Sequence, residues 1–207
     1  MTAHRESTLG VHLVLLLTMA VWGVNLSVVK LLTGVLDGMS VAVARMVVAA
    51  VTLSLLVWPW RPRQPAPGAR TLLGLALCAL LMVYANQLLF VFGIVRTSVT
   101  NAAIVMGLGP LVSSLLASAL LRARLGVRRL VGIAIGFAGV TLVVVNRPGA
   151  AVGGHWTGDL MILAGVTCFA AGGALVQRLS RGLPALEISW RVHLIGAVML
   201  LLHAALD

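Results

Sequence analysis

Apolar residues run almost unbroken through seven stretches, near residues 11–32, 40–58, 71–94, 101–121, 127–145, 159–176 and 186–205, and polar residues gather in the gaps between them. Each stretch is close to the roughly 20 residues that an α-helix needs to cross the ~30 Å hydrocarbon core of a bilayer. The runs are continuous rather than alternating, so they predict helices; barrel strands would show a period of two over about ten residues. Helices also satisfy every backbone amide within their own segment, as hydrocarbon demands. The pattern therefore predicts an all-α, polytopic transmembrane helix bundle of about seven spans.

The gaps carry a second pattern. Arg5 precedes the first run, Arg61, Arg63 and Arg70 lie between the second and third, Arg122, Arg124, Arg128 and Arg129 between the fourth and fifth, and Arg178 and Arg181 between the sixth and seventh. These gaps alternate along the chain, so all of them fall on one side of a bilayer. The opposite gaps hold Asp37, Arg96 and the stretch with Arg147, His155 and Asp159. Lys and Arg near span ends are retained on the cytoplasmic side, which predicts a multi-pass protein of the cell membrane with a cytoplasmic amino terminus. The first run has Asn25 and Lys30 toward its end and no small-residue cleavage site after it, so it reads as a retained span and not as a signal peptide.

Composition agrees with lipid as the solvent: 60% of residues are hydrophobic, 10% are charged, and the mean hydropathy is +1.09. The formal charge of +10 would suit nucleic acid, but the arginines are divided among short loops with no aromatic platform between them. Anionic lipid headgroups are the expected neighbours, and nucleic acid is not an expected partner. Trp58 and Trp60 beside Arg61, and Trp156 on the other side, fit the membrane–water interface. Cys78 and Cys168 lie in separate runs and read as small packing residues. The chain has no paired carboxylates, no Ser/His/Asp set, no metal-ligand spacing and no phosphate-cradling glycine loop after a strand, so no enzyme, metal or cofactor is expected.

Polar residues inside the runs are the candidates for function, because a cation at mid-helix costs about 2.5–3.5 kcal/mol on insertion scales. Lys30 and Arg45 flank the turn at Asp37 and are expected in the outer third of the membrane, either snorkelling or paired with Asp37, or forming a cationic rim for an anionic or zwitterionic solute. Gly23, Ser27 and Lys30 share one helix face and form a candidate cavity wall. Tyr84, Asn86 and Gln87 in the third run and Asn101 in the fourth offer hydrogen bonds, to a solute or between helices. Gly107, Gly109 and Pro110 interrupt the fourth run, as a kink or as a broken helix at a transport site. Gly132, Gly136 and Gly139, and likewise Ala164, Cys168 and Gly172, space small residues for close helix packing or for a dimer. Glu187 and Arg191 stand in the order of an i, i+4 ion pair, with a proton-coupled Glu187 as the other reading, and His193 and His203 read as packing residues.

A weak internal echo links Lys30, the Asp37–Gly38 turn and Arg45 with Arg178, the turn around Gly182 and Pro184, and Arg191. About five spans precede the second copy, so it would enter from the opposite face, as inverted repeats do.

Three stretches resemble the drug/metabolite transporter superfamily, in particular its EamA-type members. They are AVWGVNLSVVK at residues 20–30 followed by the opening of the second run at Arg45, YANQLLFVFGIVRTSVTNAAIVMGLGPLVSSLLA at 84–117, and LLRARLGVRRLVGIAIGFAGVTLVV at 120–144. The resemblance implies two inverted five-helix repeats around a midplane site and the export or exchange of small metabolites or drug-like solutes by alternating access. It divides the chain into a tail (1–10), a first five-helix repeat (11–146), a glycine-rich linker (147–158) and the first two helices of a second repeat (159–207). Two departures stand out: Ala123 where the family usually has a glutamate, and a second repeat that stops after about two helices. The expected solute-binding residues are Lys30, Arg45, Asn86 and Pro110. Expected partners are membrane lipid, a small-molecule solute, and a second copy or a complementing chain. The alternative expectation is a non-transporting membrane subunit or half-transporter that needs a partner chain.

Overall fold

The computed structural model describes residues 8–60, 67–121, 126–146 and 156–206, and no strand occurs among them. The helices are α1 (Thr8–Leu32), α2 (Gly38–Val57), α3 (Ala69–Cys78), α4 (Asn86–Val95), α5 (Val99–Gly107), α6 (Gly109–Leu121), α7 (Val127–Val145), α8 (Trp156–Leu179) and α9 (Ala185–Leu206). A π-helical segment, Ala79–Ala85, joins α3 to α4 in one continuous rod, and a 3₁₀ turn, Trp58–Trp60, follows α2. Among the described residues six rods are long and apolar enough to cross a membrane: Gly10–Leu32, Gly38–Val57, Ala69–Val95, Val99–Ala119, Trp156–Leu179 and Ala185–Leu206. The seventh apolar run forms α7, whose 19 residues reach about 28 Å at 1.5 Å per residue. The chain is thus an all-α polytopic bundle. Arg5, Arg61, Arg63, Arg122, Ala123, Arg124, Arg147 and His155, which carry much of the orientation argument and one family departure, lie outside the described residues.

Local chemistry sets the helix ends. Asp37 caps α2 by accepting from the Ser40 backbone N–H at 2.8 Å, and hydrogen bonds from the Ser40 side chain and backbone hold its carboxyl below the ordinary carboxylate value. Asp37 therefore serves its own helix and not Lys30; the ion pair between them expected from sequence is absent among the described residues. Ser98 caps α5 through the Asn101 N–H at 3.0 Å. Pro110 has no N–H for the helix ladder, and the helix breaks at Leu108 between α5 and α6.

The α3–α4 rod is the centre of the bundle, with α8 on one side and α2 and α9 on another. One buried cluster joins Met46 and Ala50 of α2, Leu75, Cys78 and Val83 of the rod, and Ile188, Val192 and Leu200 of α9. A second joins Leu26 and Val29 of α1, Val41 and Ala42 of α2, Phe90 and Ile94 of α4, and Ile162 of α8. Outward positions such as Leu16 and Leu17 of α1, 67% and 69% exposed, are apolar because lipid faces them.

Three glycines seven residues apart line the face of α8 that packs on the rod, and the approach is tightest at the outer two. A Cβ at Gly158 would stand 2.7 Å from the Arg96 carbonyl carbon, one at Gly165 would stand 3.4 Å from the Asn86 carbonyl oxygen, and one at Gly172 would overlap Met82. Across this antiparallel crossing, Gly93 would likewise meet Ile162 at 2.8 Å. The close-packing stripe of α8 is therefore Gly158–Gly165–Gly172; of the stripe expected from sequence only Gly172 belongs to it, and Ala164 is exposed. On the rod's other side a Cβ at Gly196 of α9 would overlap Val83. The glycines of α7 behave otherwise. Added methyls at Gly132, Gly136 and Gly139 would meet nothing within 4 Å.

Candidate functional site

The π-helical segment decides which way the polar residues of the rod face. Its wider winding, in which Asn86 N–H reaches back to Leu81, ends where Asn86 and Gln87 begin. Successive residues on a helix point about 100° apart, so the two amides serve different neighbours. Asn86 donates from Nδ2 to the Gly165 carbonyl of α8 at 2.9 Å. Gln87 turns to α2, where its Oε1 accepts from Arg45 Nη1 at 3.1 Å.

Arg45 Nη2 donates to Asn25 Oδ1 of α1 at 3.1 Å, and its guanidinium carbon lies 5.8 Å from the centre of the Phe90 ring. Three helices thus meet at one guanidinium, and no described carboxylate pairs with it: the ion pair among the described residues is Arg191 with Glu187. Arg45 is seven residues from the start of α2, Asn25 seven from the end of α1, and Gln87 eight from the end of α4, or about 10–12 Å inside the helix ends. All three are half-buried.

Lys30 lies further out on α1. Its ammonium donates to the Ile94 carbonyl and, at 2.9 Å, to the Thr97 carbonyl. The last carbonyls of a helix lack intrahelical partners and carry the negative end of its dipole, so Lys30 acts as a tertiary cap on α4. The same corner is tied to α8: Thr97 Oγ1 donates to Asp159 Oδ1, and Asn101 Nδ2 donates to Asp159 Oδ2 at 3.0 Å. Asn101 Oδ1 is buried there without a hydrogen-bond partner.

Among the expected solute-binding residues, only Arg45 gathers other polar side chains around it. Lys30 is occupied by carbonyls, Asn86 by the α8 backbone, and Pro110 stands exposed at the α5–α6 break. Gly23 and Ser27, placed on a cavity wall from sequence, are exposed, and a methyl at Gly23 would meet nothing within 4 Å. Asn25 and the Thr97–Asp159 contact were not singled out from sequence; Asn25 is four residues before Val29 on the buried face of α1 and could have been found by that spacing. Tyr84 and His203 also meet, with the phenol oxygen 2.9 Å from Nδ1.

An apolar groove of about 280 Å³ runs between α2 and α9, lined by Val47, Val51, Leu55, Leu194 and Leu201 among others. Its one hydroxyl, Ser54, already donates to the Ala50 carbonyl and accepts from Trp190 Nε1, so the groove offers no polar recognition.

The sequence profile of the EamA-like transporter family matches residues 9–145. The chain belongs to this family. It is 32% identical over 124 residues to the uncharacterized transporter YyaM of Bacillus subtilis (strain 168), a match covering 58% of this chain and 40% of the relative. It is 31% identical over 148 residues to a probable terminal-alkyne amino-acid exporter of Streptantibioticus cattleyicolor, covering 67% of this chain and 47% of the relative. The chain thus spans about half the length of these EamA-type relatives or less. No solved structure matches it. As an EamA-family protein with six apolar rods, it is a multi-pass membrane protein.

Proposed function

We propose that the chain is the solute-handling part of an exporter of small metabolites or drug-like molecules that works by alternating access, with its amino terminus in the cytoplasm. The observation that carries this reading is Arg45, a guanidinium at the junction of α1, α2 and α4 whose described partners are neutral amides. A cation held inside an apolar bundle without a counter-charge is costly, and such residues mark the paths of solutes and ions. Export as the direction is supported by the relative named as an amino-acid exporter. Arg45 contacts the solute, Asn86 and Pro110 shape the path beside it, and Lys30 sets the local potential while it caps α4. The hairpin α1–α2 and the hairpin α8–α9 turn at opposite ends of the bundle, which supports an inverted second repeat beginning at α8.

Efflux from proteoliposomes loaded with a panel of labelled amino acids tests the proposal. Flux that falls in Arg45→Ala and Lys30→Ala supports it; flux and selectivity unchanged in both remove these assignments.

A second reading, a half-transporter or subunit completed by another chain, is favoured by the open α7 face at Gly132, Gly136 and Gly139. Crosslinking from this face in native membranes tests it. A stable complex without solute flux in either component alone supports this reading, and a monomer that transports removes it.

A further inference from the structure

Arginine offers five N–H donors and accepts nothing. Arg45 uses two of them, on Gln87 Oε1 and Asn25 Oδ1, which leaves three. Because Arg45 can only donate, both amides present oxygen to it and keep their amino groups for other partners. No described residue accepts from either amino group. The junction therefore holds one positive charge that has donors still unused and no counter-charge among the described residues. Such an array is complementary to an oxyanion.

The charge of that anion follows from the surroundings. The other cation of this region, Lys30, is held by the Ile94 and Thr97 carbonyls in the corner that also carries the Asp159 carboxylate, so Arg45 is the charge left to balance and a single negative charge balances it. A dianion would bring one uncompensated charge into a low-dielectric site. The shape of the anion follows from a comparison within the chain. At Arg191 the residue one turn earlier is Glu187, whose Oε1 accepts from Nε at 3.0 Å and from Nη2 at 2.6 Å. At Arg45 the residue one turn earlier is Val41, buried in the core. We infer that the Arg45–Asn25–Gln87 junction binds the carboxylate of a singly charged solute, which takes at Arg45 the part that Glu187 takes at Arg191. This deepens the transport reading above and rests on it. A lipid headgroup is a poor occupant, because the junction lies about 10–12 Å inside the helix ends and phosphates stay at the interface.

The test uses the full chain in nanodiscs and three probes that share one short alkyl chain: valerate, valeramide and butylphosphonate. Equilibrium binding is measured for the wild type, Arg45→Gln and Gln87→Leu, with empty nanodiscs as the partition control. The expected result is valerate binding at least tenfold tighter than valeramide and tighter than butylphosphonate. That preference is lost in Arg45→Gln and weakened several-fold in Gln87→Leu, which keeps the charge and so decides the matter even if Arg45→Gln does not fold. Equal affinity for valerate and valeramide overturns the carboxylate assignment while the transport reading stands. Preference for butylphosphonate overturns it in favour of a tetrahedral oxyanion such as a headgroup phosphate. Absence of binding by all three, together with absence of amino-acid efflux from proteoliposomes, overturns the transport reading itself.

Discussion

Arg45 and Arg191 occupy comparable places in two hairpins that turn at opposite ends of the bundle. Each lies about two turns into the helix that follows the turn, α2 or α9. Both are half-buried, and both lie near an aromatic ring, Phe90 for Arg45 and Trp190 for Arg191. Their counter-charges differ. Arg191 is neutralised by Glu187 from its own helix, a local pair that needs no other element to assemble it. Arg45 depends on amides from α1 and α4, so it is held only where three helices converge, and it is held without being neutralised. One arginine is neutralised within its own helix; the other has no counter-charge among the described residues.

The largest effect tests the frame on which both arginines depend. A methyl at Gly158 would press on the Arg96 carbonyl, which is backbone and cannot rotate away. Overpacking of this kind costs typically 1–3 kcal/mol, and contact with backbone places Gly158→Ala near about 3 kcal/mol; thermal unfolding in detergent should show the lowest midpoint of the set. A midpoint within a degree or two of the wild type would mean that α8 is not seated on α4 by its glycines.

Next comes the neutralised pair. Glu187→Ala strands the Arg191 guanidinium, and because both side chains keep some exposure to solvent the loss is discounted from the fully buried case to about 2 kcal/mol. The double variant Glu187→Gln/Arg191→Gln should recover most of that loss, since the stranded charge is gone. A double variant as unstable as the single one would show that the two residues do not act as a pair.

The other arginine should behave in the opposite way. Arg45→Gln removes a half-buried charge that has no described counter-ion, so its unfolding free energy should stay within about 1 kcal/mol of the wild type, while solute flux falls at least tenfold. A large loss of stability with selectivity preserved would move Arg45 into the structural class beside Arg191. The smallest effect belongs to Asn86→Leu, which removes one interhelical hydrogen bond worth about 0.6 kcal/mol on average. Its flux should change less than that of Arg45→Gln, because its amide serves the Gly165 carbonyl.

The fold was legible because the bilayer imposes a strong one-dimensional pattern. The continuous apolar runs near residues 71–94 and 186–205 became helices with ends a few residues away, and the Gly107–Pro110 break follows from a proline that cannot donate. The packing of α8 was read on the wrong face: Ala164, Cys168 and Gly172 were chosen at a spacing of four, whereas the antiparallel seam repeats every seven residues through Gly158, Gly165 and Gly172. The site was legible in part. Arg45 stood out because charge is rare in these runs, and the interhelical reading of Gln87 matches its contact with Arg45. The purpose of Lys30 was hidden, because a residue's use as a cap on another helix depends on which helix end comes near it. Asn25 was passed over because a lone amide in an apolar run points to no partner until α2 is laid against α1. The π-segment has no signature in composition, yet its wider winding shifts the phase of the helix that presents Asn86 and Gln87.

The central claim is that one of two similar arginines is left available to a solute's carboxylate. The most direct measurement is valerate binding to full-length chain in nanodiscs for three forms side by side: wild type, Arg45→Gln and the charge-neutral double variant Glu187→Gln/Arg191→Gln. The account predicts binding lost in Arg45→Gln and kept within about twofold in the double variant, a difference of under 0.5 kcal/mol. Binding that survives in Arg45→Gln, or that disappears equally in both variants, would contradict it.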